Sequence, residues 1–132
     1  MYLNFLIALG CAAGGLSRFA LSGIIASRFG DTFPWGTMAV NVLGSFVIGF
    51  FATLTGPDGR ILVGGNTRQF VMTGFLGGFT TYSSFSLQTL SLAQEGEFIS
   101  AGSNAVGTLV LCLFAVWLGH ICAVYFNTIK GV

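Results

Sequence analysis

Two sets of polar side chains lie in stretches that are otherwise apolar. Thr37, Asn41 and Ser45 are spaced i, i+4 and i+8, and Asn104, Thr108 and Cys112 repeat that spacing. On a helix each set shares one face. Between them runs "GFLGGFTTYSSFS", residues 74–86, with three glycines and six hydroxyl-bearing residues in thirteen. Asn amides and Ser or Thr hydroxyls can donate hydrogen bonds. The apolar stretches hold a single charge, Arg18, and no Asp or Glu. A cation pathway or proton relay through a membrane normally needs carboxylates. Neutral donors and one cation suit a small anion instead. The plainer alternative for each polar stripe is interhelical hydrogen bonding, worth about 1 kcal/mol per bond.

These residues must be positioned by membrane-spanning helices. The chain has 132 residues, 54% of them hydrophobic and 7% charged, against about a quarter charged in a soluble domain. Four windows of low charge each reach the roughly 20 residues that a spanning helix needs. The expected spans are 3–26, 37–54, 69–92 and 100–126, a single domain with no soluble module. Asp31, Pro34 and Trp35 mark the turn into the second helix, and "TGPDGR" marks the following loop. Gly10 and Gly14, four apart, let another helix approach closely. The net charge of +1 and the absence of a basic run exclude a nucleic-acid partner. Cys11, Cys112 and Cys122 lack metal-ligand spacing and read as free thiols. His120 has no acidic or Cys partner nearby in sequence and reads as a packed or interfacial residue. With no Lys or Arg before the first apolar run, a cleaved signal peptide is not expected.

The third span is expected to break near residues 77–81. Glycine costs about 1 kcal/mol in a helix relative to Ala, and the hydroxyls of Thr80, Thr81, Ser83 and Ser84 can satisfy freed backbone. An unwound segment can present carbonyls to a cation and N–H groups to an anion. Tyr82 and Phe85, three apart, share a face beyond the break, and an aromatic ring has a positive edge. Arg18 either faces a hydrated vestibule or snorkels to the interface. Four helices make a thin bundle, so a homo-oligomer is expected, most simply a dimer. Arg60, Arg68 and Lys130 share one side and Arg28 the other, with Arg18 joining it if it lies near that face. Such a weak bias allows both orientations.

"WGTMAVN" and "GFLGGFTTYSSFS" closely resemble the Fluc/CrcB family of fluoride channels, and the resemblance covers nearly the whole chain. It implies an all-α membrane protein of four transmembrane helices with a broken third helix, assembled as an antiparallel, dual-topology homodimer in the bacterial plasma membrane. It implies fluoride export through two pores at the dimer interface, with no enzymatic activity. The pore Asn matches Asn41, the two pore-lining aromatics match Tyr82 and Phe85, and the vestibule Arg matches Arg18. A polar track maps onto Ser84 and Thr108, and less directly onto Cys112. A structural sodium ion at the dimer centre is implied, held by backbone carbonyls matching Gly77 and Thr80. Tyr82 departs from the usual Phe and adds a phenolic donor. Two rival readings are a small dual-topology multidrug transporter and a structural membrane subunit without transport. The first needs an intramembrane carboxylate, and the second leaves the paired polar stripes unexplained.

Overall fold

The structure, a computed structural model of one chain, describes residues 1–129. Lys130, which enters the expected charge distribution between the two faces, lies outside the described residues.

Three helices are long and apolar enough to cross a membrane: α1 (Tyr2–Phe29), α2 (Trp35–Leu54) and a C-terminal helix over Phe98–Ile129. Between the second and third of these the chain forms shorter pieces. They are α3 (Gly65–Gln69), a π-helical segment (Phe70–Leu76), α4 (Gly77–Phe79) and α5 (Tyr82–Gln94), so the last helix is α6. The 28 residues of α1 extend about 42 Å, more than the roughly 30 Å of a hydrocarbon core. Its helical pattern continues past the apolar window until Gly30, whose φ of 83° ends it. Gly96, at φ 81°, makes the short turn between α5 and α6.

Glycines set the helix crossings. Gly10 of α1 lies against Gly74, and Gly14 against the Phe75 and Phe79 backbone, so the expected close approach is made by the third helical run of the same chain. A Cβ on Gly14 would sit 2.0 Å from the Phe75 carbonyl oxygen, and one on Gly78 would sit 2.5 Å from that of Cys11. A second crossing joins α2 and α6, where Gly49 meets the Val116 backbone and Gly119 meets that of Phe46. Lipid tails are as apolar as Leu, so close van der Waals contact between backbones carries much of this association. The interior is small and lies chiefly between α2 and α6, with Val40, Ala101, Ala115 and Ala123 buried. Large apolar side chains such as Leu16, Phe19, Leu113 and Phe114 point outward, as lipid contact requires.

One local expectation shifts. Gly77 and Gly78 remain helical, and the helical run stops only at Thr80 and Thr81, which are extended. Glycine's weak propensity is offset where Gly78 touches the α1 backbone. The opening falls instead where side chains are at hand to take up the freed backbone groups.

Candidate functional site

The site is organised by the interruption between α4 and α5. Thr80 has φ −86° and ψ 156°, and Thr81 has φ −150° and ψ 113°. In a continuous helix the Thr81 N–H would donate to Gly77, and the Ser84 N–H to Thr80. Here the Thr81 N–H donates to Asn41 Oδ1 at 2.7 Å. The Ser84 N–H donates to Thr81 Oγ1 at 3.3 Å, an N-cap for α5. Asn41 Nδ2 in turn donates to the Thr81 carbonyl at 3.0 Å. Thr80 stays tied to the preceding turn, its N–H and its Oγ1 both donating to the Leu76 carbonyl. Arg18 Nε donates to the Gly78 carbonyl at 3.1 Å. The helical donors of Gly77 and Thr80 are thus both diverted, and these two carbonyls are released from the helix ladder.

Arg18 lies 11 residues before the end of α1, about 16 Å along the helix. The helix does not end early, and Arg18 lies well inside α1. Its cation meets the C-terminal end of the run that closes at Phe79, the end at which positive charge is favoured.

Beside the interruption is a groove of about 510 Å³. Its polar lining comes from Asn41, Ser45, Thr80, Thr81, Tyr82, Thr108 and Cys112, with Gly77 and Phe85 also contributing. Ile48, Met72, Leu76 and Leu109 supply apolar walls. No carboxylate lines it. Tyr82 is 81% exposed, and its ring centroid lies 5.4 Å from that of Phe85 with the planes tilted by 56°. Behind Phe85 a polar chain joins α6 to α5. Thr108 Oγ1 donates to Asn104 Oδ1 at 3.3 Å, Asn104 Nδ2 to Thr89 Oγ1 at 2.8 Å, and Thr89 Oγ1 to the Phe85 carbonyl at 2.8 Å. Asn104 is only 1% exposed, so its amide depends on these partners.

This arrangement sorts the donors. The Thr108 and Thr80 hydroxyl protons are engaged within the chain. Asn41 uses one Nδ2 hydrogen on Thr81 and retains the other. Ser84 Oγ accepts from Thr81 Oγ1 at 3.2 Å and retains its own proton. Asn41, Tyr82, Phe85, Thr108, Gly77 and Thr80 meet at the groove, whereas Ser84 and Arg18 lie outside its lining. Thr89 is the position that sequence reading did not name, whereas Thr81 was named there for a hydroxyl able to satisfy freed backbone, and it does so for the Ser84 N–H. For Thr81 the available signal was its place at the start of α5 with Ser84 three residues on, an N-cap pattern. Thr89 had none, because its role depends on α6. His120 pairs through Nδ1 with Thr53 Oγ1 at 2.7 Å and takes no part in the groove. Among the described residues no group of three His, Cys, Asp or Glu is placed to hold a metal ion.

The family model for CrcB-like protein, Camphor Resistance (CrcB), matches residues 5–120. A protein of Opitutus terrae named fluoride-specific ion channel FluC is 66% identical, the match covering 99% of each chain. A protein of the same name from Methylocella silvestris is 56% identical, over 95% of each chain. Another from Rhodospirillum rubrum is 57% identical over 92% of this chain and 94% of its own.

Proposed function

We propose that this chain, which belongs to the CrcB family, is a fluoride channel: a multi-pass protein of the bacterial inner membrane that lets fluoride out by passive conduction. The observation that carries the reading is 66% identity, across 99% of both chains, to a protein named as a fluoride-specific ion channel. The groove agrees with it chemically. Fluoride is small and strongly hydrated, so a path must replace its water with compact donors. Asn41 and the ring edges of Tyr82 and Phe85 line the groove, with the Ser84 hydroxyl outside that lining; all are neutral partners of moderate strength, and an ion must also be able to leave. A membrane potential negative inside drives an anion outward with about 2.3 kcal/mol per charge per 100 mV. Passive conduction therefore suffices for export.

In this reading the third crossing is discontinuous, built from residues 65–79 and 82–94. Two chains assemble antiparallel as a homodimer, closing their grooves into two pores. The thinness of one chain and the 81% exposure of Tyr82 support that assembly. The family implies a sodium ion at the dimer centre. Gly77 and Thr80 fit it, since their carbonyls have lost their helical donors and unwound carbonyls are suitable ligands for sodium. Two pairs of these carbonyls, one from each chain, would hold the ion. When bound it supplies a fixed positive charge between the pores. Arg18 holds the end of the first half-helix and contributes positive potential at the pathway's approach.

Fluoride and chloride efflux from liposomes carrying the purified protein tests the function. Fluoride is expected to leave rapidly and chloride slowly. Fluoride efflux no faster than from empty vesicles overturns the reading.

A further inference from the structure

We propose that Asn41 is a positioning residue for the cation site, acting through Thr81, besides any contact it makes with a permeating anion. The inference deepens the channel reading and rests on its sodium site. Asn41 spends its Oδ1 and one Nδ2 hydrogen on the two backbone groups of one residue, Thr81, across 40 positions of chain. It is 8% exposed, so its amide has little access to water. The Thr81 N–H is the group that a continuous helix would aim at Gly77. By capturing that N–H, Asn41 keeps the Gly77 carbonyl free. By holding the Thr81 carbonyl it also fixes Thr81 in its extended conformation, and with it the direction of the Thr80–Thr81 peptide, whose oxygen is the Thr80 carbonyl. Both carbonyls that fit sodium are therefore oriented by one side chain on a different helix. Asn41 also lines the groove with Tyr82 and Phe85, so one residue couples the anion path to the cation site.

Asn41→Asp separates the alternatives because it keeps shape and Oδ1 but removes the Nδ2 donor. An ionised carboxylate would repel the Thr81 carbonyl and release the segment. The measurement is sodium affinity of the detergent-purified dimer, read from the sodium dependence of its thermal stability and repeated by equilibrium binding of radioactive sodium. The expected result is an affinity about tenfold weaker or more, on the scale of one or two net hydrogen bonds. Phe85→Ile, which alters the groove but not the clamp, should leave sodium affinity at the wild-type value. Unchanged or tighter sodium binding in Asn41→Asp overturns the proposal; tighter binding would mean that the carboxylate acts only as a nearby negative charge. If wild type shows no sodium binding while fluoride flux persists, the sodium site falls and this proposal falls with it, leaving the channel reading intact. Should Asn41→Asp fail to fold, amide hydrogen exchange of the wild type decides. Thr81, outside any helix, should then be as protected as the α5 interior, and rapid exchange there overturns the clamp.

Discussion

Gly14→Ala tests the packing that holds the site together. The added Cβ would stand 2.0 Å from the Phe75 carbonyl oxygen and 2.9 Å from the Phe79 nitrogen. Both neighbours are backbone, so no side chain can swing aside. Ordinary van der Waals contact begins at 3.4 Å, which requires α1 to move outward by about 1.4 Å. Arg18 is one turn further along the same face, and its bond to the Gly78 carbonyl is 3.1 Å long. A shift of that size takes the pair beyond hydrogen-bond range. Overpacking of this kind costs about 1–3 kcal/mol, and loss of a bond to a charged group about 1.5–3 kcal/mol. The combined loss is about 2.5–6 kcal/mol, less whatever relaxation recovers. The assay is thermal unfolding of the purified protein in detergent, together with fluoride efflux. Gly14→Ala should lower the transition temperature markedly and reduce flux. Gly15→Ala is the matched control, because a Cβ there meets nothing within 4 Å. It should be neutral, or stabilising by up to about 1 kcal/mol from helix propensity. Wild-type stability and flux in Gly14→Ala would refute the claim that direct backbone contact sets this crossing.

The aromatic pair can be tested by separating hydroxyl from ring. Tyr82 meets Phe85 ring to ring at 5.4 Å, so Tyr82→Phe should keep fluoride efflux within about threefold of wild type if ring edges face the anion. Phe85→Ile should slow efflux while leaving thermal stability nearly unchanged, and normal efflux would make Phe85 a packing residue. Thr108→Val strips the buried Asn104 Oδ1 of its donor, a loss of about 1–3 kcal/mol in thermal unfolding; an unchanged transition would mean that Asn104 finds another partner.

Three of the four expected spans, the first, second and fourth, were legible because each is a long run of apolar residues that forms one helix; the stretch 69–92 forms shorter pieces instead. Gly10 and Gly14 were legible as a contact surface, but their partner was not: nothing local to α1 identifies Gly74 and the backbone of Phe75 and Phe79. The composition around residues 77–81 pointed to an interruption, yet glycine content misplaced its centre. The chain opens at two threonines because Asn41 and the Thr81 hydroxyl take up the backbone there. Arg18 read as a vestibule charge or an interfacial residue; its bond to Gly78 adds a role that spans 60 positions.

By itself the sequence determined the solvent, the number of apolar stretches, and the absence of carboxylates from them. It also determined which neutral donors the apolar stretches carry. These are properties of residue type and short-range spacing, and no fold is needed to read them. Only the tertiary structure decided which donors are spent and which remain. Thr108 gives its proton to Asn104, Ser84 keeps its own, and Asn41 divides its amide between Thr81 and the groove. Each such assignment is made between helices brought together by packing, and a buried polar group accepts whichever partner the crossing brings within about 3 Å.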